Sequence, residues 1–441
     1  MAHGSVASRT FVALGNQQYR ILWFGTLFSF LGMQMQVLAR GYLAFDLTGK
    51  NGALGLVTLG FGVPQLLLSL WGGVLADRLP KRNTLIVAQA LIALNSAWIA
   101  SMIAFDLIEF WMLVVASVNQ GTLFSVVGPA RQAFIGDLVG REHVGNAVVL
   151  QQMSMNSTRV VGPSLAGIFI AIPLIGLAGV YLMTTAGFLI ACVSMLKLPP
   201  GAPKPRETAR SPLADLNDGL RYVRARPAIW NLILVSFAAV MFGFPYQTFL
   251  PSIAKDVYGV GASGLGIMSG ATAVGAVIST ILVAAYADSP KAWFAAPILA
   301  VVFGLTLAAL GASPGLMVGL VVLIGVGGFA AAFQSLNNSL TMSYTDGEYH
   351  GRVQSMTMLS WSLFGIAALP LGILADRIGI RETLAVMGGI TIVLVILIQL
   401  FAHTRGASRD RFTGLGISEA ERMGDREAAD EARGVSAAGG G

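Results

Sequence analysis

The sequence predicts an all-α membrane protein with twelve transmembrane helices in two related six-helix bundles. Three observations carry that prediction. Charged residues make up 11% of the 441 positions and apolar residues 55%, whereas a soluble chain carries roughly 25% charge; mean hydropathy is +0.72. Apolar runs of span length recur twelve times, and at about 22 residues each they take up roughly 264 positions. Segments of the first half also return in the second at an offset near 206.

The elements follow in order. Residues 1–20 are polar and lack a signal-peptide cleavage pattern, so they are expected to be a cytoplasmic N-terminus ahead of a retained first anchor. Hydrophobic windows then place spans at 21–45, 53–75, 83–105, 110–131, 146–171 and 174–196, the N-terminal bundle of 21–196. A polar linker, 197–227, interrupts them. Within it, Ser211-Pro212 starts a helix with proline in its first turn. Leu213, Leu216, Leu220 and Val223 share one face, with Arg221 and Arg224 off it. That pattern predicts an amphipathic tether on the cytoplasmic membrane surface. Spans at 228–254, 264–287, 292–312, 315–341, 353–375 and 383–402 make the C-terminal bundle of 228–403. The charged, alanine-rich tail 404–441 is expected to be cytoplasmic and to have no fixed structure.

Lysine and arginine set the orientation. With the N-terminus inside, sixteen fall in cytoplasmic segments before the tail and four outside (Lys50, Lys255, Arg377 and Arg381). The tail adds six more inside, leaving Arg40 and Arg159 within spans. This asymmetry accounts for the basic balance without nucleic acid. Cys192 is the single cysteine, so no intramolecular disulfide and no thiol metal cluster is available. There is no Walker loop and no Ser-His-Asp set within the spans, and Gly325-Val326-Gly327-Gly328 lies in an apolar helix as packing. The residues point to a non-enzyme without metal or cofactor.

The repeat pairs Gly121 with Gly327, and Arg141-Glu142-His143-Val144-Gly145-Asn146 with Gly347-Glu348-Tyr349-His350-Gly351-Arg352. Parallel repeats flanking a mid-membrane site are the arrangement of transporters. Between spans two and three stands Gly72-Gly73-Val74-Leu75-Ala76-Asp77-Arg78-Leu79-Pro80-Lys81-Arg82, with a degenerate copy around Asp288 in the second half. This segment resembles the loop signature of the major facilitator superfamily, which implies the major facilitator fold and alternating access. Gly128-Pro129-Ala130-Arg131-Gln132, Arg159-Val160-Val161-Gly162-Pro163, Tyr246-Gln247-Thr248-Phe249-Leu250-Pro251 and Gly351-Arg352-Val353-Gln354 resemble the bacterial enterobactin-exporter-like group. That group is similar to drug:proton antiporters, so efflux is the implied direction and H+ the implied coupling ion. The resemblance assigns Gly73, Asp77, Arg78, Lys81, Arg82, Arg131 and Asp288 to gating. Asp77 is expected to meet Arg131 or Arg82.

Charges inside spans are costly and mark candidate sites. Gln152, Asn156, Arg159 and Pro163 share one face of span five, as Ser29, Met33, Gln36 and Arg40 do of span one. Arg159 lies roughly 21 Å into its span, where it either pairs with a carboxylate or carbonyl or contacts substrate. Arg40, near the outer end, either snorkels or contacts substrate. Asn119, Tyr246, Gln247 and Asn337 are further candidates for hydrogen bonds or stacking. Gly162-Pro163 followed by Gly167 resembles the antiporter motif of span five, implying a kink that shapes the cavity; simple packing is the alternative. The span-four motif of such antiporters has an arginine where Ser117 stands, while Gln120 is kept. No acid or histidine is mid-span, so Asp46, Asp77 or Asp137 is left as proton carrier.

Two intramembrane arginines without an opposing acid favour neutral or anionic substrates over cations. The expected partners are a small amphiphilic molecule and the bilayer of the bacterial cytoplasmic membrane, for a monomeric chain. A lysophospholipid or metabolite transporter, an importer and a non-transporting sensor are the alternatives.

Overall fold

A computed structural model describes residues 12–140, 143–201, 212–284, 289, 292–346 and 349–404. Asp288 and the tail from 405 lie outside them, as do the side chains of Asp77, Leu213 and Leu216 and the surroundings of Gly73.

Six helices form the first half: α1 (Gln17–Thr48), α2 (Asn51–Arg78), α3 (Lys81–Ala104), α4 (Phe110–Val139), α5 (Val144–Ala171) and α6 (Gly176–Leu196). A linker helix follows, α7 (Pro212–Ala225). The next span is broken into α8 (Pro227–Ala238), a π turn, α9 (Tyr246–Ser252) and a second π turn at Ile253–Val257. Pro245 and Pro251, which lack an N–H for the helical ladder, stand at the N-cap of α9 and within it, each close to a π turn. The second half is completed by α10 (Ala262–Ala284), α11 (Ala292–Ala312), α12 (Leu316–Ser343), α13 (His350–Ile378) and α14 (Ile380–Thr404).

Capping explains several ends. The Asn16 side chain accepts from the N–H groups of Gln18 and Tyr19 at 2.9 and 3.1 Å, starting α1. Gly49, with φ +63°, ends it, its N–H returning to the Phe45 carbonyl at 2.7 Å. Both chain ends of the helical body lie on one side, the termini side; the α1–α2 turn lies on the far side.

The internal repeat is a repeat of packing. α2 packs on α4 as α10 packs on α12, and α3 packs on α4 and α6 as α11 packs on α12 and α14. The paired glycines have matching duties. A Cβ on Gly121 would overlap the Phe61 carbonyl of α2, and one on Gly327 would overlap the Thr272 carbonyl of α10. Both admit backbone-to-backbone approach.

Ten helical segments among the described residues are long and apolar enough to cross a membrane. Two further long helices are α5 and α13, of 28 and 29 residues. They are the pseudo-equivalent fifth and eleventh spans, and they join the halves: α5 packs on α10 and α13 on α2. Neighbouring protein on the flanks of α5 makes its polar stripe tolerable within a span.

The linker helix differs from expectation. The described apolar residues of its face, Leu220 and Val223, pack against the second half and not outward. Val223 is buried with Ile229, Ile233, Val353 and Met356. Tyr222 stacks on Tyr349 with centroids 3.9 Å apart. Its hydroxyl accepts the Asp346 N–H at 2.9 Å, and Arg226 pairs with Asp346 at 2.5 Å.

Candidate gates and substrate pathway

The two halves meet tightly on the far side. A Cβ on Gly167 of α5 would overlap the Gly266 backbone of α10, and one on Gly55 of α2 would overlap Ala368 and Leu369 of α13. Gly372 likewise abuts the Asn51 carbonyl, and Gly41 of α1 reaches Pro251 of α9. Polar contacts reinforce the seam. Asp376, at the end of α13, accepts the N–H groups of Asn51 and Gly52 at 2.6 and 2.8 Å, at the positive end of α2. Lys255 pairs with Asp46 at 3.0 Å, both half-exposed, a contact of small individual worth. These glycine contacts between halves lie toward the far side, so the conformation is closed there.

On the termini side the signature's basic residues hold the first half together. Lys81, 4% exposed, pairs with Asp137 at 2.5 Å. Arg82 donates to the Leu198 carbonyl at 2.8 Å and to Asn83 Oδ1 at 3.2 Å. The expected contact of the Asp77 side chain falls outside the described residues. Arg131 is buried, its guanidinium 4.3 Å from the Phe30 ring centroid. Arg78 is exposed at the end of α2. Further bonds tie α1 to α5: Tyr19 to the Ala147 carbonyl at 2.7 Å and Trp23 to the Leu150 carbonyl at 3.1 Å.

Arg40 is not snorkelled to an interface. It is 6% exposed, buried inside the first half. It donates to Ser117 Oγ at 3.1 Å and to Gln120 Oε1, and Gln120 Nε2 donates to Gln36 Oε1 at 3.2 Å. The guanidinium from α1 thus occupies the face of α4 on which the antiporter motif has its own arginine. These partners are neutral, so hydrogen bonds hold the charge.

The stripe on α5 behaves differently. Gln152, Asn156 and Arg159 are all exposed. An exposed arginine at mid-span depth faces water-filled space and not lipid, because hydrocarbon contact would cost several kcal/mol. Pro163 lies four residues on and cannot bond the Arg159 carbonyl. Gly162 closes on Gln34 of α1 within the half, whereas Gly167 closes on the other half. The motif therefore joins a polar inner stretch to a sealed far end.

Other candidates separate. Gln247 is exposed beside the break between α8 and α9. Tyr246 is fully buried in the core, its ring 6.2 Å from Phe303, and so is shut off from substrate here. Asn337 is 2% exposed within α12, while Asn119 is exposed beside Val115 and Val118. Asp376 had no sequence signal beyond its place at a helix end. Among the described residues no cluster of three or more His, Cys, Asp or Glu is placed to hold a metal.

A family model described as transmembrane secretion effector matches residues 8–415. The chain belongs to that family of the major facilitator superfamily. It is a transporter and not an enzyme, as its family and relatives establish. Among curated relatives it is 25% identical to the staphyloferrin A transporter of Staphylococcus aureus over 366 residues, 80% of this chain and 89% of that one. It is also 25% identical to the enterobactin exporter EntS of Shigella boydii over 350 residues, 76% and 80% of the two chains. In fold it matches a bacterial homolog of the human lysosomal transporter Spinster, in an inward-facing, unoccupied conformation. The TM-score is 0.70 at 15% identity, over 93% of this chain and 99% of that one. The nucleoside transporter NupG matches at a TM-score of 0.65 and 15% identity, over 87% and 98% of the two chains.

Proposed function

We propose that this transporter exports small, amphiphilic, neutral-to-anionic molecules of the siderophore class across the bacterial cytoplasmic membrane by proton antiport. The termini side is cytoplasmic in this reading, following the lysine and arginine asymmetry. The exposed Arg159, continued by Asn156 and Gln152 along α5, is the observation that carries it. A water-facing cation at mid-span concentrates anions, and neighbouring amides supply neutral hydrogen bonds. Two relatives named for siderophore transport support the substrate class. Closure on the far side corresponds to a state loading from the cytoplasm. Alternating access then requires the Gly167 and Gly55 seams to open while the termini side closes around the Lys81 and Arg82 segment. The chain acts as a monomer, with Asp137 beside Lys81 as the proton carrier.

The test is uptake into energised inside-out vesicles with internal pH followed in parallel. Catecholate and other acidic compounds are expected to enter with proton release, and Arg159→Gln to lower their uptake at least tenfold. Uptake of lipophilic cations instead, or undiminished anion uptake by Arg159→Gln, would overturn the substrate assignment. Uptake without proton release would overturn the antiport.

A further inference from the structure

We propose that a groove between α1 and α6 on the termini side is a selective site for an anionic phospholipid, its headgroup between Arg20 and Lys197. The groove has a volume of about 300 Å³ and is lined by Arg20, Ile21, Phe24, Phe28, Ile190 and Lys197, with Gly25 and Ser194 as its floor. It lies apart from the polar stripe and the seams between halves.

The arrangement follows from two helix registers. Arg20, Phe24 and Phe28 recur at i, i+4 and i+8, so they share one face of α1. Ile190 and Ser194 on α6 lead to Lys197 in the same way. Gly25 lets the helices meet, since a Cβ there would overlap Ser194 Oγ and approach the Ala191 backbone to 3.3 Å. The groove runs past that contact on both sides, from Arg20 and Lys197 to Phe28 and Ile190. Phe24, Phe28 and Ile190 are 49%, 43% and 45% exposed, an apolar track facing outward from the bundle. Phe28 lies about 12 Å below Arg20 along the helix axis, the depth of an upper acyl chain. Both cations are exposed, and neither forms an ion pair among the described residues.

Charge and apolarity are thus stacked in the order of a phospholipid: two cations at headgroup level and an acyl-sized track beneath. A zwitterionic headgroup brings its own ammonium to the cation pair and loses most of the attraction, so the site selects phosphatidylglycerol-like lipids. A soluble partner would leave the track uncovered.

Native mass spectrometry of the delipidated full chain tests this, with phosphatidylglycerol and phosphatidylethanolamine of matched acyl chains as probes. The wild type is expected to bind the anionic lipid more tightly. R20Q/K197Q should weaken that binding roughly 30-fold, the effect of two lost surface cations, and leave phosphatidylethanolamine unchanged. R221Q/R224Q removes two cations of the linker helix and should bind as the wild type does. Equal binding of the two lipids, or an equal loss in R221Q/R224Q, would overturn the site. Competition by glycerol 3-phosphate at lipid concentrations would overturn the lipid as its occupant.

Discussion

Asp376 caps a helix that begins 325 residues earlier: its carboxylate receives the Asn51 N–H at 2.6 Å, binding α13 of one half to α2 of the other. The bond, with its companion from Gly52, holds shut the side on which the glycine seams lie. Asp376→Ala should lower the cost of opening by about 1 kcal/mol, the worth of charge-assisted bonds reduced for an exposed site. The check is hydrogen exchange at residues 51 and 52, expected to speed up about fivefold. Unchanged exchange would mean that the glycine contacts alone keep the side closed.

Arg40 and Ser117 invite an exchange of places. Ser117→Arg alone sets a second cation beside Arg40 in a buried neutral pocket, a costly arrangement, and is expected to abolish folded protein in detergent. Adding Arg40→Ser should restore it, since one guanidinium then reaches the same pocket from α4. Size-exclusion recovery and thermal unfolding compare the three. Recovery of the double variant no better than that of Ser117→Arg would show that the guanidinium must come from α1.

The two glycines of the α5 motif should separate by phenotype. Gly162→Ala forces Gln34 of α1 outward within one half, so it should lower thermal stability by about 1–3 kcal/mol. Gly167→Ala wedges α5 from α10 between halves. It is expected to widen the far side and to suppress transport at near-normal stability. Spin-label distances across the far side read the difference. Identical distance distributions in the two variants would contradict this division.

The linker contact carries a pH dependence. Burial pushes the Tyr222 phenol above its ordinary value, ahead of the smaller effects of Asp346 and Arg226. A group whose folded pKa is raised contributes stability that is full below its unfolded value and is lost as pH rises through the folded one. Docking of α7 should therefore be constant through neutral pH and weaken only beyond the usual tyrosine range. Tyr222→Phe should remove that alkaline loss, and about 1 kcal/mol of docking with it. Limited proteolysis of the linker across pH is the measurement.

Much of this was legible in the residues. Composition and span lengths carried the fold, and the offset near 206 led to Gly121 and Gly327, which meet carbonyls in the same way in each half. The α5 stripe was legible because helical spacing places Gln152, Asn156 and Arg159 together. Arg40 was misplaced because depth from the helix end says nothing of lateral partners, and Ser117 and Gln120 lie 77 and 80 positions away. Asp376 escaped notice for the same reason, since its partners are backbone N–H groups, which almost any residue supplies. The linker helix showed its apolar face in the sequence, but not whether lipid or protein would cover it.

The polarity of α5 also bears on biogenesis. An arginine at the centre of a span costs about 2.5–3.5 kcal/mol on the scale of translocon insertion, and α5 carries Arg159 there with Asn156 and Gln152 on the same face. The nascent segment therefore has little tendency to partition into lipid alone. It has to leave the translocon against helices already made, and α1 offers the fit through Gln34 and Gly162. Assembly of the first half is then ordered in time, with α1 serving as the template on which the fifth span enters the membrane.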